Sequence, residues 1–224
     1  MAYFIDRVDA GKRLAVAMAD FKGKDAIVLA IPRGGVVVGY QIATALNLPL
    51  DVIIAHKIGA PDNPELAIGA VAEDGSTYLD NQLVTYTGAS SSYIKEESDQ
   101  QKTEIQRRLK TYRQNTSALL SGKEVILVDD GIATGATMKA ALASAKNRGA
   151  KAVTVAVPVG PPSTIQELRK MGAKQVVCLY MPEWFQAIGQ FYDIFDQTSD
   201  EEVIDLLGKS RQRNSGKNAR RMKA

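Results

Sequence analysis

The stretch VILVDDGIATGAT, residues 125–137, joins an apolar run to two adjacent carboxylates and then to a loop of small residues. Four aliphatic residues in succession are typical of a strand buried on both faces of a sheet. Asp129 and Asp130 follow at once, and the residues after them have very small side chains. Like charges at a strand end repel each other, so this pattern indicates a site rather than packing alone.

Short apolar runs alternate with segments of helical periodicity along most of the chain. Strands alternating with helices predict an α/β fold in which helices cover both faces of a parallel sheet. Ligands bind such sheets beyond the carboxyl ends of the strands. A pair of short strands around a turn at 74–75 is also predicted. The predicted parallel strands are 26–31, 50–59, 125–128, 152–159 and 175–181, and the predicted helices are 6–20, 36–46, 135–148 and 161–173.

The composition is that of an ordinary globular protein, with 45% hydrophobic and 24% charged residues among 224. The single cysteine, Cys178, excludes an internal disulfide and suits a reducing compartment. It lies in an apolar run, which favours a buried thiol over a nucleophile. No segment is apolar for long enough to span a bilayer, and residues 1–21 lack the apolar run of a secretory signal. We therefore expect a cytoplasmic protein with no membrane association.

The positive charge is concentrated at the C-terminal end. No acid follows Asp205, and residues 208–224 carry seven of the 28 basic residues, so the rest of the chain is acidic overall. A basic segment rich in Ser, Asn and Gly predicts a disordered tail. Such a tail either contacts nucleic acid or only keeps the chain soluble, and both interpretations stay open.

The small-residue loop 131–137 suits a phosphate, because bare backbone N–H groups at a helix start attract anions. It lacks the lysine of a Walker A loop and the spacing of a dinucleotide fingerprint. By itself the loop also fits a plain turn whose threonines cap the helix. The acid pair favours a site, since carboxylates accept hydrogen bonds from vicinal hydroxyls such as those of ribose.

The stretch 125–137 resembles the phosphoribosyl pyrophosphate motif of type I phosphoribosyltransferases: four hydrophobic residues, two acids and a small loop ending in Thr. AIPRGGVVVG (30–39) is similar to the pyrophosphate loop of that family. Three further stretches resemble a subgroup of stand-alone members whose substrates are poorly assigned: HKIGAPDNPELAIGAV (56–71), PEWFQAIGQFYDIF (182–195) and SDEEVIDLL (199–207).

The resemblance implies the parallel-sheet type I phosphoribosyltransferase fold, with a flexible flap and a small C-terminal hood. Residues 1–207 would form this single domain, followed by the tail at 208–224. The flap would cover about 88–115, a strongly charged segment with only a narrow apolar stripe. The hood would lie mainly at 180–207.

The resemblance also implies the residues of the donor site. Asp129 and Asp130 would bind the ribose hydroxyls, with Asp130 nearer the reacting carbon. Lys57 would add positive charge to the pyrophosphate and complete the catalytic set, although an ordinary exposed lysine is the alternative. The other implied contacts are Arg33, Gly34 and Gly35 with pyrophosphate, and Ala133, Thr134, Gly135, Ala136 and Thr137 with the 5-phosphate.

Mg²⁺ is the implied cofactor, held through substrate oxygens and water with no direct protein ligand assigned. The implied reaction is displacement of pyrophosphate from phosphoribosyl pyrophosphate by a nitrogen nucleophile, such as a nucleobase in purine or pyrimidine salvage. The only histidine, His56, is more typical of a structural residue than of a catalytic base.

The acceptor side is less defined by the sequence. Trp184 and Phe185 are candidates to stack on a planar base. The helical spacing of Trp184, Ile188, Tyr192 and Phe195 fits a hood core equally well. A second hypothesis is a regulatory protein that binds phosphoribosyl pyrophosphate as a signal and RNA through the tail. The sequence is compatible with a homo-oligomer.

Overall fold

A computed structural model describes residues 3–113 and 118–221, with side chains described to residue 214. The α-helices are α1 (Arg7–Ala17), α2 (Gly34–Leu46), α3 (Asn81–Thr87), α4 (Ser91–Tyr112), α5 (Ala136–Asn147), α6 (Pro162–Lys170) and α7 (Asp200–Arg221). The strands are β1 (Ala26–Ala30), β2 (Leu50–Val52), β3 (Ala55–Ala60), β4 (Asn63–Ala72), β5 (Thr77–Leu79), β6 (Glu124–Val128), β7 (Ala152–Val159) and β8 (Gln175–Tyr180). Two short 3₁₀ helices cover Ala19–Phe21 and Ile188–Phe191.

Five of these strands form the parallel sheet that the sequence predicts, in the order β2-β1-β6-β7-β8. The strand β6 lies at its centre, with Val28 of β1 opposite Ile126 and Thr154 of β7 on the other side. Because β1 and β6 are parallel neighbours, their carboxyl ends meet at the same edge of the sheet. The loops that follow β1 and β6 are therefore brought together.

Helices cover both faces of this sheet, because each face of a central strand is apolar. On one face, Val28 and Ile126 share a core with residues of α1, α2, α4 and α7. On the other face, Leu29 and Leu127 share a core with α5 and α6. The helices pack through buried residues that include Leu14, Ile42, Ile105, Val203, Leu142 and Leu168.

The predicted strand at 50–59 is two strands in different sheets, which corrects the sequence interpretation. The strand β2 ends at Val52, and β3 begins a separate antiparallel sheet of order β3-β4-β5. Between them the backbone of Ile54 turns to Glu73: its N–H donates to Glu73 Oε2 at 3.1 Å, and its carbonyl accepts from Glu73 N at 2.9 Å. The apolar sequence is continuous across the junction because Ile53 and Ile54, which connect β2 to β3, are themselves buried.

The predicted flap is largely helical. Its residues up to 113 include α4, and 114–115 lie outside the described residues. Ile105 and Tyr112 are buried on the face of α4 that meets the core, as the narrow apolar stripe predicts. The mobile lid stays a prediction.

The C-terminal region differs from the prediction in two ways. Residues 200–207 are not hood but the start of α7, because Val203 and Leu207 are buried one helical turn apart in the main core. The segment from 208, where the sequence predicts a tail, is helical to Arg221, and 222–224 lie outside the described residues. Ser210 is fully buried, which shows that the helix packs beyond Leu207.

The remaining hood, residues 180–199, packs on the start of the chain. The N–H groups of Tyr3 and Phe4 both donate to Phe191 O, at 3.0 and 2.9 Å. Phe4, Phe191 and Tyr192 belong to a small buried cluster that also includes Ala10 of α1 and Val159 of β7. The hood is therefore completed by residues that precede α1. No helix in the described ranges is long and apolar enough to cross a membrane.

Candidate functional site

The loop between β1 and α2 lies directly against the carboxyl end of β6. The N–H of Ile31 donates to Val128 O at 2.8 Å, which holds the two strand ends together. A Cβ added to Gly34 would collide with Asp130 Oδ2 and lie 2.6 Å from Arg7 Nε. A Cβ on Gly35 would lie 2.9 Å from Val128 O. Because they lack side chains, the two glycines permit the predicted pyrophosphate loop to contact the acid pair. The peptide bond between Pro32 and Arg33 in this loop is cis.

This packing buries Asp130 and leaves Asp129 partly exposed. Asp129 Oδ1 accepts the N–H of Asp130 at 2.9 Å. Burial, followed by the neighbouring Asp130 carboxylate, raises the pKa of Asp129 well above its ordinary value. Burial also raises the pKa of Asp130, against the opposing effect of Arg7. Two adjacent carboxylates in a site of low exposure hold negative charge that a ligand with hydroxyls or positive character would stabilise.

Arg7 is a part of the site that the sequence interpretation missed. Its Nε donates to Asp130 Oδ2 at 2.7 Å, and its Nη1 donates to Asp196 O at 2.7 Å. The guanidinium also lies over the ring of Phe195, 3.9 Å from the ring centre. Arg7 and Asp130 are 123 residues apart, and one arginine at a helix start carries no signal of this contact.

The predicted phosphate loop leads into α5 through Gly135, whose φ of 70° is in the left-handed region. Ala133 and Thr134 are exposed, while Thr164 Oγ1 of α6 anchors the loop by donating to Ala133 O at 2.8 Å. Across the described residues, no side chain caps α5, so the interpretation of Thr134 or Thr137 as a helix cap is wrong. The start of α5 keeps backbone N–H groups for an anion.

Arg33 reaches away from the acid pair. Its Nη1 lies 3.7 Å from Asp200 Oδ1, in the first turn of α7. Tyr112 Oη, at the end of α4, donates to the same oxygen at 2.5 Å. Burial, followed by its bond to Asp200, raises the pKa of Tyr112 to about 12. Asp200 thus links the predicted pyrophosphate loop to both α4 and α7.

Lys57 lies on the β3–β4 hairpin rather than in contact with the acids. Its Nζ is 2.7 Å from Glu65 Oε2. Lys57 pairs with Ala70, and this face of the hairpin packs through alanines on Ala136 and Ala140 of α5. The lysine is thus on the hairpin face turned toward the helix that follows the phosphate loop.

His56 points to the other side of the hairpin. Its Nδ1 lies 2.9 Å from Gln101 Oε1 of α4, and burial lowers its pKa. A neutral histidine bonded to a helix side chain fits the structural role that the sequence favours. The ring borders a cavity of about 400 Å³ whose lining also includes Lys57, Glu65, Tyr93 and Arg108.

A family model described as the phosphoribosyl transferase domain matches residues 7–194. The chain belongs to the phosphoribosyl transferase domain family. This confirms the resemblance carried by the acid pair and its loop. The match begins at Arg7 and ends at Ile194, so it spans the parallel sheet and most of the hood.

Two curated relatives from Mycobacterium tuberculosis strains, each named "putative phosphoribosyl transferase", are 43% identical to this chain over 211 residues. The match covers 94% of this chain and 47% of each relative, so the chain spans about half their length. The crystal structure of TT1426 from Thermus thermophilus is 40% identical, with a TM-score of 0.77. That match covers 92% of this chain and 98% of the Thermus protein.

The hood aromatics of this phosphoribosyl transferase domain fall into two groups. Trp184 is 86% exposed, whereas Phe185 packs against Phe191 with ring centres 5.3 Å apart. The segment is not helical, because it is irregular before its 3₁₀ turn, but Ile188 and Tyr192 do pack in the hood core as the second interpretation predicts. Trp184 borders a cavity of about 580 Å³ together with Tyr3, Tyr180, Met181 and Phe191.

Proposed function

We propose that this domain transfers the phosphoribosyl group of phosphoribosyl pyrophosphate to a nitrogen nucleophile of nucleobase type and releases pyrophosphate. The observation that carries the proposal is the contact of Gly34 with Asp130 at the edge where β1 and β6 end. This contact places the glycine loop against the two acids, and the uncapped start of α5 follows the acids after a five-residue loop. A ribose that carries phosphate at both ends needs these three features together.

The residues take complementary roles in this proposal. Asp129 and Asp130 accept hydrogen bonds from the ribose hydroxyls, and the N–H groups of 133–137 bind the 5-phosphate. The backbone of Gly34 and Gly35 binds pyrophosphate. Arg33 and Lys57 form ion pairs with Asp200 and Glu65 in the structure. On donor binding they would exchange these partners for the pyrophosphate and supply positive charge to it. Each of these ion pairs is partly exposed, so exchanging it for a phosphate costs little.

The reaction forms a bond from the acceptor nitrogen to the anomeric carbon and breaks the bond from that carbon to the pyrophosphate oxygen, which leaves with the electron pair, while the acceptor nitrogen loses its proton. Positive charge develops on the ribose as the leaving group departs. The acid pair stabilises this charge, and the loops align donor and acceptor. Closure of the segment around α4 would exclude water from the activated sugar.

Mg²⁺ would neutralise the pyrophosphate and polarise its bond to the ribose. Among the described residues, no group of three His, Cys, Asp or Glu side chains could hold a metal ion. Asp130 Oδ2 is bonded to Arg7. We propose that Mg²⁺ would be held mainly through the substrate and water, with no side chain of this chain assigned as a direct ligand.

For the acceptor, Trp184 is the better of the two candidates because its ring is free to stack, while Phe185 is engaged with Phe191. The alternative function is a sensor of phosphoribosyl pyrophosphate that binds RNA through α7. Three basic residues of α7 already have partners: Lys209 pairs with Asp205, and Arg211 and Arg213 donate to backbone carbonyls. This engagement favours the enzyme. A cytoplasmic location remains a prediction.

The deciding experiment incubates purine and pyrimidine bases with phosphoribosyl pyrophosphate and Mg²⁺ and measures pyrophosphate release. We expect release with one class of base, and its loss when Mg²⁺ is omitted. The double variant Asp129→Asn, Asp130→Asn should lose turnover, while Asp20→Asn, at an exposed acid, should not. Tight donor binding without release for any base would favour the sensor, and full activity of the double variant would overturn the site.

A further inference from the structure

Four neighbours surround Asp130: Arg7 and Gly34 lie at its side chain, Tyr192 donates to its backbone carbonyl, and Asp129 accepts from its backbone N–H. Arg7 comes from α1, Gly34 from the β1–α2 loop and Tyr192 from the hood. Within the described residues, the ionisable groups facing Asp130 are therefore Arg7, Asp129 and Tyr192, and Arg7 is the positively charged one.

The guanidinium of Arg7 is held in place from three sides. Asp130 Oδ2 accepts from Nε, Asp196 O accepts from Nη1, and the Phe195 ring lies 3.9 Å from Cζ. The Arg7 and Asp130 side chains are each only 12% exposed. A long side chain fixed by a carbonyl and a ring loses little further freedom when it bonds a carboxylate. Such an arrangement can define the direction of a carboxylate.

We infer that Arg7 is a positioning residue of the donor site, which orients the Asp130 carboxylate toward the ribose hydroxyls of phosphoribosyl pyrophosphate. The inference rests on the proposed function. Arg7 acts through Asp130 and does not touch the reacting atoms. By fixing Arg7, Phe195 and Asp196 of the hood also set the geometry of the donor half of the site.

The charge of Arg7 has a second consequence. Burial raises the pKa of Asp130, and Arg7 opposes that rise. Removing the guanidinium should therefore protonate Asp130 at higher pH, and a protonated carboxyl is a poorer acceptor for two ribose hydroxyls. If Arg7 only held α1 against the hood, its removal would change the stability of the fold but would not change the pKa of Asp130.

The test compares Arg7→Gln, Arg7→Lys and Phe195→Leu with Lys12→Gln, which removes an exposed charge from the same helix. The dissociation constant of phosphoribosyl pyrophosphate with Mg²⁺ is measured by calorimetry across pH. We expect Arg7→Gln to weaken binding about tenfold near neutral pH and to move the acidic limb of the profile to higher pH. Arg7→Lys should restore part of both effects, Phe195→Leu should cause a smaller change in the same direction, and Lys12→Gln should match the wild type.

Carboxylate ¹³C chemical shifts of the ligand-free variants give a readout independent of substrate. The Asp130 titration should move to higher pH in Arg7→Gln. If Arg7→Gln does not fold, Phe195→Leu and Arg7→Lys carry the test. Unchanged affinity and an unchanged Asp130 titration in a folded variant would overturn the inference. If the wild type binds no phosphoribosyl pyrophosphate, the proposed function fails, and the donor-site role of Arg7 fails with it. The Asp130 titration still decides whether Arg7 lowers the pKa of Asp130.

Discussion

Tyr192 Oη donates a 2.6 Å hydrogen bond to the backbone carbonyl of Asp130, although 62 residues separate them. Burial raises the pKa of Tyr192, so the hydroxyl stays protonated and remains a donor. The carbonyl of a loop residue next to two carboxylates would otherwise lie unpaired in a dry site. The hood thus fixes the backbone of the acid pair as well as covering it.

Tyr192→Phe should destabilise the fold by about 1–3 kcal/mol, because the buried Asp130 carbonyl loses its donor while the ring is kept. Urea unfolding followed by circular dichroism gives the free energy of unfolding. Tyr86→Phe is the matched control, since Tyr86 is 82% exposed. Equal stability of both variants would show that the Tyr192 hydroxyl contributes nothing.

Gly34→Ala should weaken binding of phosphoribosyl pyrophosphate at least about tenfold and destabilise the fold by about 1–3 kcal/mol. The added methyl would meet Asp130 and Arg7 and push the β1–α2 loop away from the acids. Gly208→Ala is the control, because it lies in α7 with nothing within 4 Å of the new Cβ. That helix position should become more stable by about 0.5–1 kcal/mol. Wild-type affinity in Gly34→Ala would refute the assigned contact.

Asp129→Asn should gain stability relative to wild type as pH rises. An acid whose pKa is raised in the folded state binds more protons when folded, so its contribution to stability falls as pH rises. The fall begins near the ordinary pKa of 3.8 and ends above the raised value. The wild type and Asp129→Asn should therefore have equal free energies of unfolding at acidic pH, and the variant should become the more stable of the two as pH rises. Urea unfolding at a series of pH values from acidic to neutral measures this difference. Turnover should drop about 10²–10³-fold. A stability difference that is constant with pH would contradict the raised pKa.

Glu73→Gln should cost about 3 kcal/mol of stability. Glu73 Oε1 lies 2.7 Å from Arg113 Nη1 and 2.6 Å from Arg148 Nη1, and its side chain is almost fully buried. Losing its charge leaves two arginines beside a neutral group. Thermal unfolding measures the loss, with the exposed Glu96→Gln as a control that should stay within about 0.5 kcal/mol of wild type. A midpoint equal to that of the control would mean that this network adds no net stability.

Trp184→Ala should raise the Michaelis constant for the acceptor about tenfold while leaving the affinity for phosphoribosyl pyrophosphate unchanged. Stability should hardly change, because the ring is 86% exposed. Leu119→Ala, at a side chain exposed to 82%, is the control for loss of surface area. Steady-state kinetics with the base found active gives the comparison. An unchanged acceptor constant would remove Trp184 from the acceptor site.

Local sequence patterns determined the parallel sheet and the donor motif. The apolar runs at β1, β6 and β7 are buried strands, the run at β8 is a partly buried edge strand, and the acids and small residues after β6 lie at a strand end as predicted. These features follow from side-chain size and hydrophobicity over a few consecutive residues, which the sequence displays directly. The resemblance to the phosphoribosyltransferase family rested on the same short stretches.

Only the tertiary structure decided which distant residues complete the site. Arg7 reaches Asp130, Tyr192 bonds its carbonyl, and Asp200 holds Arg33, yet none of these contacts has a periodicity in the sequence. The segment from residue 208 also reads as a polar tail but folds as helix, because the core accepts Leu207 and Ser210. Long-range contacts depend on how elements pack in three dimensions, and local composition does not encode that packing.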